Sequence, residues 1–176
     1  LAALAEPLAC CINGYELAPA HPGGTVVIFG GGPIGLMLAL LGRYYGARQV
    51  ITVEPNERRR RSAAEISSDI VIDPSREDPV ARIMQLTDGL GAETIFTACP
   101  VVQTHEQAIA VVAKRGYVNL FGGLPKSAPP IALQSNHIHY REAFITGSHG
   151  STPAQHATAL SLISEGAIKL DALITH

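Results

Sequence analysis

The sequence predicts an α/β fold, a doubly wound parallel sheet of six strands. Three observations carry the prediction. Six short apolar runs, rich in β-branched residues, recur along the chain with helix-forming segments between them. The runs are continuously apolar rather than alternating, which marks strands covered on both faces. Glycine and proline punctuate the junctions. Right-handed crossovers leave few ways to connect such a sheet.

The elements follow in order. Residues 1–20 are rich in Ala and Leu and predict a helix, broken at Pro19-Ala20-His21-Pro22-Gly23-Gly24. Thr25-Val26-Val27-Ile28-Phe29 is the first buried strand. Residues 33–45 predict an apolar helix. Pro33 sits in its first turn, where a missing N–H does no harm, and Gly46 caps its end. The alternation repeats through strand 49–53, helix 56–64, strand 70–72, helix 79–86, strand 94–98, helix 104–113 and strand 117–121. A Pro-containing connection over 122–134 leads to strand 143–146 and helix 153–164.

Bulk properties exclude several function classes. The 176 residues suit one core, and 47% of them are apolar, which argues against disorder. A net charge of −2 offers no nucleic-acid groove and no polybasic membrane patch. The longest apolar run, 36–41, is far too short to span a bilayer. Cys10, Cys11 and Cys99 are an odd set without a C-x-x-C pair, so free thiols in a reducing, cytoplasmic setting are expected and a zinc knuckle is not. The chain opens on Leu1 rather than Met, as a piece of a longer chain would.

The motif richest in chemistry is Gly30-Gly31-Gly32-Pro33-Ile34-Gly35, a G-x-G-x-x-G. Alone the pattern is common, but here it leaves a buried strand and opens an apolar helix. Gly30 permits the turn, Gly32 lets backbone approach a pyrophosphate, and Gly35 lets the helix lie close on the strand. The helix start offers free N–H groups to the diphosphate. No Lys-Ser or Lys-Thr follows, so this is not a nucleoside-triphosphate loop. The second strand ends at Glu54, where an acid can hold the adenosine ribose hydroxyls and repel a 2′-phosphate. NAD is therefore the expected cofactor. Arg58, Arg59, Arg60 and Arg61 follow at once, and one of them near the ribose would suit NADP instead. Two other readings share these features: a methyltransferase using S-adenosylmethionine, and a non-catalytic nucleotide-sensing or assembly domain. The full third glycine, Gly35, favours a dinucleotide.

The stretch from Val26 to Gly35, with Glu54 and Arg59, resembles the coenzyme domain of zinc-type medium-chain dehydrogenases, in the sorbitol, threonine and sugar-phosphate branch. The likeness runs on through Thr87-Asp88-Gly89-Leu90-Gly91-Ala92-Glu93, Leu120-Phe121-Gly122-Gly123, His139-Tyr140-Arg141-Glu142 and Gly147-Ser148. It implies a Rossmann fold over residues 23–176, with residues 1–22 a linking helix from a catalytic domain. It implies that Ile34 packs beside the nicotinamide ring, that Glu54 holds the ribose, and that Arg59 lies at the adenosine end. Ala98 and Cys99 would border the adenosine side, and Phe121 and Ser148 would offer backbone groups to the carboxamide. Glu6-Pro7-Leu8 resembles the segment that brings an acid to the catalytic zinc, which makes Glu6 a candidate zinc-site residue of a parent enzyme.

The resemblance further implies hydride transfer between a small alcohol or polyol and NAD(P), and a homodimer paired through strand 143–146. The family's other zinc ligands, a Cys and a His-Glu pair, lie in a domain absent here, so no zinc and no alcohol oxidation are expected of these residues alone. The chain also stops at Ile174-Thr175-His176, before the family's return to that domain. Departures from the family are Ser67-Ser68, Pro100 and Arg115-Gly116. Of seven histidines, His137 and His139 would share one face of a strand and could join His149, although surface histidines in a connecting loop are commoner. Gly147-Ser148-His149-Gly150 lacks nucleophile-elbow spacing, and Cys99 suits a small apolar filler better than a nucleophile.

Overall fold

The computed structural model describes residues 2–174; Leu1, Thr175 and His176, on which the expectations about the chain's ends bear, lie outside the described residues. Six strands form one sheet, and each of its pairings is parallel. They are β1 (Thr25–Phe29), β2 (Gln49–Val53), β3 (Ile70–Ile72), β4 (Ala92–Thr97), β5 (Val112–Leu120) and β6 (Phe144–Gly147), in the spatial order β3-β2-β1-β4-β5-β6. The chain builds outward from β1 in one direction, then returns to build outward on its other side. That reversal opens a crevice at the carboxyl ends of β1 and β4, where this architecture binds ligands.

Side chains alternate between two cores. Val26 and Ile28 point into one, with Leu8, Tyr15, Leu38 and Leu162. Val27 and Phe29 point into the other, with Ile51, Ile83, Ile95 and Ile109. All five β1 residues are buried, which is why its sequence shows no alternation. The first core lies under α1 (Ala5–Leu17), α2 (Pro33–Tyr44) and α7 (Pro153–Ser164). The second lies under α4 (Pro79–Leu86) and α5 (Val102–Ala110). The buried Tyr15 hydroxyl donates to the Leu38 carbonyl at 2.7 Å, and its ring packs tilted against Phe96, with centroids 4.6 Å apart and planes at 56°. One side chain thus pins α1 to both α2 and the sheet.

Three expectations need correction. Helix α5 ends at Ala110, and β5 begins at Val112 rather than at 117. Val111 and Val112 are β-branched and wholly buried, and Val112 pairs with Ala92 while Tyr117 pairs with Thr94. The residues between form an irregularity in which Arg115 takes φ +59°. The helix expected over 1–20 is shorter: a 3-10 turn (Ala2–Leu4) leads into α1. Residues expected to be loop form α6 (Ser135–Arg141). Its seven residues, Ser-Asn-His-Ile-His-Tyr-Arg, have weak helix propensity and no apolar stripe, so no periodic signal announced it. His137 and His139, two apart, therefore point to different sides of a helix rather than one face of a strand. Among the described residues no group of three or more His, Cys, Asp or Glu is placed to hold a metal, so His149 does not join them in a site.

Candidate dinucleotide site

The glycine loop joins β1 to α2 at the mouth of the crevice. Gly30 has φ +112°, a region closed to most side chains, and its N–H donates to the Val53 carbonyl at 2.8 Å. A Cβ on Gly35 would lie 1.9 Å from the Gly30 carbonyl oxygen, so only glycine allows α2 this close to the loop. A Cβ on Gly32, by contrast, meets no atom within 4 Å. The first backbone bond of α2 runs from the Leu36 N–H to the Gly32 carbonyl at 2.9 Å. The N–H groups of Gly32, Ile34 and Gly35 find no acceptor among the described residues. Three free donors at a helix N-terminus, facing a space that a Cβ would occupy, suit a diphosphate.

Glu54 closes one side of the loop. It is 3% exposed, and its two carboxylate oxygens accept from the Gly31 N–H at 2.7 Å and the Asn56 N–H at 2.8 Å. These bonds hold the acid against the loop, and each oxygen keeps a lone pair for a ribose hydroxyl.

The four arginines divide. Arg60 is engaged by the Glu54 carbonyl at 3.1 Å, the Pro55 carbonyl and the Asp73 carboxylate at 2.8 Å. Arg61 pairs with Glu57. The guanidiniums of Arg58 and Arg59 find no partner among the described residues, and both line a recess beside Gly31 and Gly32. The Asp73 carboxyl is held below its ordinary value, first by hydrogen bonds from Ser75 and then by Arg60 and Arg76.

Two cavities flank the loop. The larger, of about 860 Å³, takes in Gly30, Glu54, Arg59, Asp78, Cys99 and Val101. This is a normal size for a small-molecule site. The smaller, of about 200 Å³, is lined by Glu6, Cys10, Ile34, Phe121, Ser148 and His149. The sequence-predicted residues thus separate into two sets. Glu54, Arg59 and Cys99 share one cavity; Ile34, Phe121, Ser148 and Glu6 share the other. Ala98 lines neither cavity. It packs against the first core, and its N–H donates to the Phe29 carbonyl at 2.8 Å, fixing the adjoining end of β4.

Burial pushes up the Cys99 thiol, whose sulfur lies 3.4 Å from the Thr104 hydroxyl, so it has no nucleophile's character. Behind it on α5, His105 is 3% exposed, its Nε2 has no partner among the described residues, and burial lowers its pKa below the ordinary 6.5. Glu6 accepts from the Cys10 thiol at 3.3 Å, and that thiol is likewise pushed up by burial.

Sequence reasoning missed Asn119, a wholly buried amide whose Oδ1 accepts from the Ser148 hydroxyl at 2.9 Å. It also missed Asp78 and Val101 in the larger cavity. For Asn119 a signal existed: it is the one amide in the apolar run Tyr117-Val118-Asn119-Leu120-Phe121.

The family profile of the zinc-binding dehydrogenases matches residues 33–165. An L-threonine 3-dehydrogenase of Thermococcus kodakarensis is 35% identical over 99% of this chain and 49% of its own length. A sorbitol dehydrogenase of Halalkalibacterium halodurans is 32% identical over 99% of this chain and 51% of its own. A crystal structure assigned to the zinc-binding dehydrogenases, from Sinorhizobium meliloti 1021 and bound to NADP, superposes with a TM-score of 0.92. It is 33% identical, over 98% of this chain and 51% of the other. The chain spans about half the length of the curated relatives it matches. On this match, which takes in the glycine-loop helix and runs through α7, the chain belongs to the zinc-binding dehydrogenase family.

Proposed function

We propose that this chain is the nicotinamide-dinucleotide-binding half of a zinc-dependent alcohol or polyol dehydrogenase. The observation that carries the reading is the loop itself: three free N–H groups at the start of α2, open to a space between two cavities, with Glu54 fixed beside them. In this reading the adenosine lies in the larger cavity with its ribose on Glu54. The diphosphate crosses Gly32 to Gly35, and the nicotinamide lies against Ile34, with Phe121 and Ser148 at its carboxamide. When bound, the nicotinamide supplies the hydride acceptor; the chain's own residues orient it and exclude water.

Glu6 borders the nicotinamide cavity and is the one acid this chain offers to a catalytic zinc there. The other ligands would come from outside the described residues. The substrate class rests on the relatives: the threonine and sorbitol dehydrogenases are named for small hydroxyl-bearing molecules. Residues 1–22 serve in this reading as the link to the catalytic half.

NAD is the favoured dinucleotide, because the Glu54 carboxylate opposes a 2′-phosphate. A second reading, NADP, is favoured by the unpartnered Arg58 and Arg59 and by the NADP bound in the Sinorhizobium meliloti structure. Titrating the chain with NADH and NADPH, followed by their own fluorescence, tests both. Saturable binding of NADH, tighter than NADPH, is expected. Binding of neither sinks the proposal.

We also propose a homodimer through β6. Among the described residues its outer edge pairs with no strand, and beside it Phe144 is 46% exposed and Tyr140 74% exposed. Sedimentation should report a dimer, and Phe144→Glu should yield a monomer. No helix among the described residues is long and apolar enough to cross a membrane. A cytoplasmic setting is our reading of the three free thiols, Cys10, Cys11 and Cys99.

A further inference from the structure

The nicotinamide cavity is built from three separate pieces of chain: α1 with Glu6, the end of β5 with Phe121, and the exit of β6 with Ser148. Something must hold them in register, and one buried side chain touches all three. Asn119 is 0% exposed, and its Nδ2 donates to the Gly14 carbonyl of α1 at 3.4 Å and to the Thr146 hydroxyl oxygen of β6 at 3.2 Å. Its Oδ1 accepts from the Ser148 hydroxyl at 2.9 Å. The orientation of the amide is fixed by its partners, because a flipped amide would set two acceptors, Oδ1 and the Gly14 carbonyl, against each other. Thr146 in turn donates to the Val118 carbonyl at 3.4 Å, so its oxygen is free to accept.

Sheet register explains the convergence. Asn119 pairs with Thr146 across β5 and β6, so both point to the α1 face, and Ser148, two residues on, continues that row. Phe96 pairs with Asn119 on β4 and fills the same face. Gly14 is tightly packed here: a Cβ on it would lie 3.1 Å from the Phe121 ring and 3.2 Å from Phe96. Helix α1 is thus keyed to β5 twice, by the amide below and by the Phe121 ring above.

We propose that Asn119 is a positioning residue for the nicotinamide half of the dinucleotide. It sets the Ser148 backbone and α1 at the spacing that the carboxamide and Glu6 require. It touches neither the diphosphate loop nor the adenosine cavity. This rests on the proposed cofactor reading and adds to it a prediction that the two halves of one ligand respond differently.

The test compares NADH with ADP-ribose, which keeps the adenosine and the diphosphate but lacks nicotinamide. NADH is followed by its fluorescence and ADP-ribose by calorimetry, on the full chain. Asn119→Ala leaves buried partners unsatisfied, and NADH should bind about tenfold more weakly, with ADP-ribose within about twofold of the parent. Should Asn119→Ala fail to fold, Ser148→Ala, which removes only the hydroxyl, and Thr146→Val, which keeps the shape, decide. Each should weaken NADH selectively by a smaller factor. Equal weakening of both ligands would make Asn119 merely structural and overturn the inference. Unchanged NADH binding would overturn it too. A parent chain that binds neither ligand would instead defeat the cofactor reading on which it stands.

Discussion

Alanine substitutions at Gly32, the N-cap of α2, and at Gly35, in its first turn, separate the loop's packing role from its binding role. At Gly35 the new Cβ would start 1.9 Å from the Gly30 carbonyl oxygen, and real contacts are not found under 3.0 Å, so α2 must retreat by about 1.1 Å. Overpacking of that kind costs about 1–3 kcal/mol. In a domain this size that lowers Tm by about 2–12 °C. The same retreat carries the Gly32 and Ile34 donors off the diphosphate. Losing one such charge-assisted bond, about 1.5–3 kcal/mol, weakens NADH binding between about tenfold and a hundredfold.

At Gly32 the backbone, φ −75° and ψ 179°, is ordinary for alanine, and the Cβ meets nothing within 4 Å. Gly32→Ala should therefore stay within about 0.5 kcal/mol of the parent in stability while losing about tenfold or more in NADH affinity, because the methyl fills the diphosphate's space. Thermal melts and fluorescence titration on both variants read the two effects independently. Full NADH affinity in Gly32→Ala would mean that no diphosphate crosses this loop. An unshifted Tm in Gly35→Ala would refute the packing argument.

Other outcomes follow from named contacts. Glu54→Gln removes the charge opposing a 2′-phosphate, so the preference for NADH over NADPH should fall by about tenfold; an unchanged ratio would remove Glu54 from the ribose site. Tyr15→Phe deletes the buried bond to the Leu38 carbonyl and should cost about 1 kcal/mol in urea denaturation, with cofactor affinity unmoved. The folded His105 pKa lies below 6.5, so the unfolded chain binds more protons and this group's stabilisation, complete above pH 6.5, is lost as pH falls through the folded value. Stability should fall as pH drops from 6.5 toward the folded value, and His105→Phe should flatten that slope. A slope that persists unchanged would assign the effect to other groups.

What could be read in the sequence was what local physics determines. The β1 run, its glycines and the apolar start of α2 carry their structure in adjacent residues, and the strand bounds 25–29, 49–53 and 70–72 match the structure. The place of Glu54 against the loop was legible because an acid directly follows the strand next to the glycine turn. The early start of β5 was not, because Val112 becomes strand only through pairing with Ala92 of β4, a tertiary choice. Helix α6 was missed for want of an apolar period. Which of the four arginines are free depends on Asp73 and Glu57 being present as partners, and only the folded chain brings Asp73 to Arg60.

The strand order carries one more consequence. Because β1 and β4 bound the crevice, a ligand crossing it passes from one face of the sheet to the other, with the loop as its saddle. The larger cavity takes its walls from the α4 and α5 side, where Cys99, Val101 and Asp78 lie. The smaller cavity takes its walls from the α1 side. These two sides share no core: the clusters under them contain different residues from β1, β2, β4 and β5. In the proposed reading the two ends of the dinucleotide can therefore be tuned separately, the first by substitutions around Glu54 and Arg59, the second by those around Asn119. The helix that presents Glu6 is the one seated on Phe121 through Gly14, so a movement of the end of β5 moves the acid with it. Enlarging Gly14 to Ala should therefore disturb nicotinamide placement while sparing ADP-ribose. If both ligands weakened alike, the two sides of the sheet would be mechanically one.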